Sequence, residues 1–133
     1  MHQFLAFLKQ ITPISNEAYA AAISLFTEKN LKKGDYFIKQ DKVCRQIAFI
    51  IKGTLRTYYI NEKGDEITSC FCTENSLTTS YKSFILQEPS LLSIQALEDT
   101  ELFVIDYDKL QKLYSTSIAW QNIGRQIAER EYF

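Results

Sequence analysis

Apolar residues recur at two different periods along the chain, and the change of period divides it into three. Phe4, Leu5, Phe7, Leu8 and Ile11 lie at helical spacing until Pro13, whose ring cannot continue a helix. Ser15, two residues before Glu17, reads as the N-cap of a second helix carrying the stripe Tyr19, Ala22, Ile23 and Phe26. From Leu31 the period becomes two. Tyr36 to Ile38 is a short strand, and Ile47 to Ile51 is an unbroken apolar run of the length expected for a strand buried on both faces. Thr54 to Ile60 and Glu66 to Cys72, rich in β-branched and aromatic residues, are two more. The connections Lys52-Gly53 and Asn61 to Asp65 are short and contain glycine, so these strands are predicted to form an antiparallel meander. Thr73 to Ser90 breaks the alternation, with Tyr81, Phe84, Ile85 and Leu86 at helical spacing before Pro89. Leu91 to Leu97 and Glu101 to Ile105 are strands again, and from Tyr107 helical spacing returns at Leu110, Leu113, Tyr114, Ile118, Ile123 and Ile127.

This order predicts an α+β domain: an antiparallel β-roll of jelly-roll type, flanked by N-terminal helices and a long C-terminal helix. The segments are 1–30 for the first helices, 31–106 for the roll and 107–133 for the closing helices, within one compact unit. A chain of 133 residues is long enough for one real core, and 46% hydrophobic residues exclude intrinsic disorder. Fifteen basic against sixteen acidic side chains give a net charge of −1, so no basic stripe is available to grip nucleic acid unaided. The uncharged stretch Ala18 to Thr27 spans about ten residues where a bilayer needs about twenty. No signal peptide opens the chain, and a cytoplasmic, soluble protein without a membrane partner is expected.

Little of the composition points to catalysis. The single histidine, His2, cannot complete a Ser/His/Asp set or a cupin-type metal centre, and no G-x4-G-K phosphate loop occurs, so no catalytic residue is assigned. Three cysteines, Cys44, Cys70 and Cys72, are not a disulfide framework. Cys70 and Cys72 lie two apart in a strand and share a face, but lack the spacing of zinc loops. They read as small buried apolar residues, with a redox thiol pair as the other reading and no metal site assigned.

The stretch LKKGDYFIKQDKVCRQIAFIIKGTLRTYYINEKGDEITSCF, from Leu31 to Phe71, resembles the opening of the cyclic-nucleotide-binding-like domain of Crp/Fnr transcription regulators. Gly34, Gly53, Leu55, Arg56, Gly64 and Glu66 stand where that family has its turn glycines, its Gly-x-Leu/Val-Arg and its Gly-x-Glu hairpin. SIQALEDTELFVIDYDKLQKL, from Ser93 to Leu113, resembles the last roll strands and the start of the connecting helices. The resemblance implies a pocket at the end of the roll, where a short helix between strands presents backbone N–H groups to a ligand phosphate. The segment Thr73 to Leu91 occupies that position. Members that bind cyclic AMP open it with Gly-Glu, whose acid holds the ribose, and close it with Arg-Ser/Thr, whose arginine neutralises the phosphate. Here the opening reads Thr73-Glu74 and the closing Ser90-Leu91, so the arginine is absent. Lys82 and Arg56 are other cations, neither at the matching position.

The implied function is a ligand-sensing domain that allosterically controls an attached DNA-binding module, its effector small and anionic or nucleotide-like. Candidate pocket residues are Glu74, Asn75, Thr78, Thr79, Ser80, Ser90 and Leu91, with Arg56 and Tyr58 from facing strands. The alternative is a ligand-free roll serving dimerisation or interaction. An Fnr-type iron–sulfur centre is not expected, because no cysteine precedes Cys44, and His2 is the only imidazole for a haem. The helix-turn-helix expected of the family is missing from these residues, and the amphipathic pattern still runs at Glu129 to Glu131, so a continuing chain is expected. Leu113, Trp120 and Ile127 are seven apart with Ile123 between, a partial a/d pattern. It predicts either a two-fold homodimer through the closing helix or packing of that face on the chain's own roll.

Overall fold

The computed structural model describes residues 2–131. Two helices, α1 (His2–Ile11) and α2 (Asn16–Ile23), lead into strands β1 (Thr27–Leu31), β2 (Tyr36–Ile38), β3 (Gln46–Lys52), β4 (Leu55–Ile60), β5 (Glu66–Cys72) and β6 (Leu77–Thr78). Helix α3 (Tyr81–Leu86), strands β7 (Ser93–Ala96) and β8 (Thr100–Asp106), and helices α4 (Tyr107–Thr116) and α5 (Ile118–Glu131) follow. Ser15 caps α2 as expected, its Oγ accepting from the Ala18 N–H at 3.0 Å.

The strands form two antiparallel four-stranded sheets, ordered β1-β8-β3-β6 and β2-β7-β4-β5. This corrects one expectation. β4 and β5 are a hairpin, closed by Asn61 N–H to the Asp65 carbonyl at 2.9 Å, but β3 and β4 belong to different sheets. The antiparallel pair β3/β8 continues across a corner into the antiparallel pair β4/β7, which makes the architecture a roll instead of a meander. At that corner the two crossings run side by side, with Leu97 N–H donating to the Thr54 carbonyl at 2.9 Å. Gly53 adopts φ +115°, and a Cβ there would lie 2.8 Å from the Thr100 Cα, so only glycine lets the crossings approach this closely.

β3 and β8 are the strands buried on both faces. Ala48, Ile50, Leu102 and Val104 are almost fully buried on one side, and Phe49 and Phe103 meet the helices on the other. Phe4 of α1 lies 5.0 Å from both Phe26 and Phe49 between ring centroids, and Phe26 stacks on Phe103 at 5.1 Å. The apolar stripe expected to run helically to Phe26 stops at Ile23, because Phe26 turns away to fill this aromatic layer.

The same layer decides the closing helix. Leu113, Trp120 and Ile123 are buried in the chain's own core and Ile127 packs against it, with Trp120 only 5.9 Å from Phe26 between centroids. The indole N–H reaches the Ala18 carbonyl at 3.4 Å. The seven-residue spacing therefore fits docking onto the roll, with Leu113, Trp120 and Ile123 buried within the chain and Ile127 partly so. Among the described residues no helix is long and apolar enough to cross a membrane.

Two glycine substitutions separate strain from collision. Gly34 has φ +92°, and a Cβ there would meet nothing within 4 Å, so Gly34→Ala should cost about 1 kcal/mol of backbone strain alone. Gly53→Ala adds a backbone clash and should cost about 4 kcal/mol. Equal shifts in urea midpoint for the two variants would show that the corner is not held by close approach.

Candidate functional site

The stretch from Thr79 to Leu92 leaves both sheets, and its interest lies in how its polar groups are met. α3 is a short helix whose N-cap residue, Ser80, does not cap it through its side chain. The Ser80 hydroxyl instead lies 2.7 Å from the Ser90 hydroxyl, and both residues are buried. The Ser90 Oγ is 2.7 Å from the Leu92 carbonyl and accepts from the Leu92 N–H at 3.1 Å. The two serines thus tie the opening of α3 to the strand entrance that follows it.

A second set of bonds holds the segment from outside. The Asp41 N–H donates to the Ser90 carbonyl and the Ser90 N–H to the Lys42 carbonyl, each at 2.7 Å. Cys44 N–H donates to the Ser83 Oγ at 2.8 Å, and the Ser83 hydroxyl donates in turn to the Glu88 carbonyl. The Thr79 hydroxyl donates to the Gln46 carbonyl at 2.9 Å. Gln87, left-handed at φ 53°, closes α3 and donates its amide to the carbonyls of Phe84 and Cys44. Residues 41–46 are in effect a clamp on residues 79–90.

Beside α3 lies a cavity of about 350 Å³, lined by Ser80, Lys82, Ser83, Glu88, Leu91 and Leu92 among others. Its rim carries one cation and one anion. A larger groove of about 530 Å³ separates α3 from α4 and α5 and is lined by Tyr81, Phe84, Ile85, Tyr114, Gln121 and Arg125 among others. Burial pushes the Tyr114 phenol up to about 12, with the neighbouring Tyr81 adding to the shift, so it stays a neutral hydrogen-bonding group throughout the physiological range.

The candidate residues named from sequence fall into separate places. Thr79, Ser80, Ser90 and Leu91 are together around α3, and Leu91 is 67% exposed. Thr78 is buried on β6 against Ala48. Glu74 is exposed on the turn before β6, separated by that strand from Ser80, the N-cap residue of α3. Asn75 sits at φ 64° in the same turn, where its N–H reaches the Ile50 carbonyl and its side chain accepts from Gln3 of α1. Arg56 and Tyr58 point to the opposite face of their sheet from buried Leu55 and Ile94. There Arg56 pairs with Glu66 at 3.0 Å, donates to Thr68 at 2.8 Å and lies over the Tyr58 ring. Burial raises the Tyr58 phenol, as does its bond to the Tyr36 hydroxyl. Neither residue is turned toward α3. The side chain of His2 lies outside the described residues.

The cysteines are less uniform than expected. Cys44 is buried, but Cys70 is exposed on edge strand β5 and Cys72 is half-buried beside it, so the reading as buried apolar residues fails for Cys70.

Sequence reasoning missed the partnership of Ser80 with Ser90, since two serines ten apart carry no pattern. Ser90→Ala removes a partner from buried Ser80 and from the Leu92 N–H, and should destabilise by about 2 kcal/mol. Ser80→Ala should cost less, and the double variant less than the sum, read from denaturation midpoints. Strict additivity would show that the two hydroxyls are independent.

Comparison with known proteins agrees with this geometry. Residues 28–117 match the cyclic nucleotide-binding domain family. The anaerobic regulatory protein of Bacillus subtilis is 24% identical over 99 residues, which are 74% of this chain and 42% of that protein, so the chain spans less than half of that relative's length. Among solved structures, a cyclic nucleotide-binding domain from Methylobacillus flagellatus superposes with a TM-score of 0.86 at 14% identity, covering 96% of this chain and 74% of that one. The Thermus thermophilus catabolite activator protein gives 0.80 at 20% identity, covering 95% and 58%. The sensor domain of the transcriptional regulator DNR from Pseudomonas aeruginosa gives 0.74 at 17% identity, covering 93% and 82%. Matched over residues 28–117 and folded as a two-sheet roll, the chain belongs to the cyclic nucleotide-binding domain family.

Proposed function

We propose that this chain is the sensor domain of a cytoplasmic Crp/Fnr-type transcription regulator whose effector is held without an ion pair to a cyclic phosphate. The observation that carries the second half is the Ser80–Ser90 hydrogen bond. Ser90, which the sequence resemblance sets at the position of the phosphate-pairing arginine, is instead bonded to the buried hydroxyl of Ser80. A phosphate in a partly enclosed pocket without a charged partner loses several kcal/mol of charge-assisted hydrogen bonding, on the order of 3 kcal/mol. With one lysine and one glutamate on the rim, the cavity beside α3 suits a small polar ligand of little net charge better than a cyclic nucleotide.

Allosteric output would run through α4, which follows β8 directly, and through α5, which packs on both α4 and α1. DNA recognition belongs to a module outside these residues. A homodimer is part of the same proposal, and it would use surfaces other than Leu113, Trp120 and Ile123, which are occupied by the chain's own core.

The experiment is a thermal-unfolding titration with cyclic AMP, cyclic GMP and a panel of anions and neutral metabolites. A ligand at about 100 times its dissociation constant adds roughly 2.7 kcal/mol, several degrees for a domain of this size. We expect no shift with either cyclic nucleotide and a saturable rise with a ligand of low charge. A rise with cyclic AMP would overturn the charge argument. No rise with any compound would favour the ligand-free interaction module.

A further inference from the structure

Cys70 takes no part in the core and Cys72 only packs against its edge, yet the placement of the pair is specific. Both belong to β5, the outer strand of its sheet, and their register partners on β4 are Thr57 and Leu55. Leu55 is fully buried, so the two thiols lie on the inner face of the roll at its open edge. Their sulfurs are 3.8 Å apart, and both are free.

That separation distinguishes between the uses of a thiol pair. A disulfide needs sulfurs at about 2.05 Å and Cα atoms no more than about 6.8 Å apart. Residues i and i+2 of an extended strand sit at about 6.7 Å, the far limit, so closing the bond would bend β5. A metal–sulfur bond of about 2.3 Å, by contrast, spans two sulfurs 3.8 Å apart at an S–metal–S angle of about 110°, which is the tetrahedral value. We propose that Cys70 and Cys72 form a two-thiolate chelate for a soft d¹⁰ divalent cation of the zinc–cadmium class, its remaining positions open to solvent. Among the described residues no third histidine, cysteine or carboxylate joins them, which fits an open site at the rim and not a closed structural one.

Binding forms two metal–sulfur bonds and releases the thiol protons to solvent. Cys72 is half-buried against the core and Cys70 is exposed, so the ion would be held at the rim of the sheet with one side open.

The test is a titration of the reduced protein with Cd²⁺, read as thiolate-to-metal charge-transfer absorbance in the ultraviolet. Expected are saturation at one ion per chain and protection of Cys70 from iodoacetamide. Cys70→Ser and Cys72→Ser should each abolish the signal while Cys44→Ser leaves it intact. Cys70 is exposed, so its serine variant folds irrespective of the outcome and keeps the test decisive. Full signal in the Cys70→Ser variant, loss in Cys44→Ser, or none in the wild-type chain would overturn the proposal. A cyclic-nucleotide result in the thermal titration has no bearing on it.

Discussion

An irregular segment buried against a sheet must find a partner for every backbone and side-chain polar group, and much of this molecule is arranged around that requirement. Residues 79–92 leave the sheets and still bury Ser80, Ser83, Phe84 and Ser90. Their donors and acceptors are met by each other and by residues 41–46, which supply both N–H groups and carbonyls. Among the described residues no buried side-chain polar atom is left without a partner. An unmet group in such a place costs about 1–3 kcal/mol, so two or three would offset a large part of a small domain's stability.

Fold and site are joined at this clamp. The loop 41–46 connects β2 of one sheet to β3 of the other, so holding α3 also holds the two sheets in register with it. The far side of β3 and β8 is covered by the aromatic layer that docks α1 and α5. The strands that meet the clamp on one side thus carry helices on their other face.

The segment also joins its two ends without charge. Two buried hydroxyls, Ser80 and Ser90, satisfy one another at 2.7 Å and link the start of α3 to the entrance to β7. Neutral groups that meet each other are cheaper to bury than charges, so this link does not depend on a bound ion.

Local patterns determined most elements. Period-two alternation placed most of the strands, Pro13 and Ser15 bounded the first helices, and the apolar run at Ile47 to Ile51 marked a strand covered on both sides. Alternation missed β6, and it missed β1, which pairs with β8 and starts the roll at Thr27 inside the segment 1–30 read as helical. The family resemblance rested on the same turns and spacings and held. Tertiary structure alone decided three things. Gly53 serves a corner between sheets instead of a hairpin, because only the approach of Thr100 distinguishes the two. Trp120 and Ile123 face the chain's own aromatic layer, since a seven-residue spacing fits an intrachain groove as well as a partner helix. Ser80 meets Ser90 across α3, because the two ends of this segment are brought together by contacts with residues 41–46 far away in sequence. Periodicity reports which face of an element is apolar; it carries no information about what that face meets.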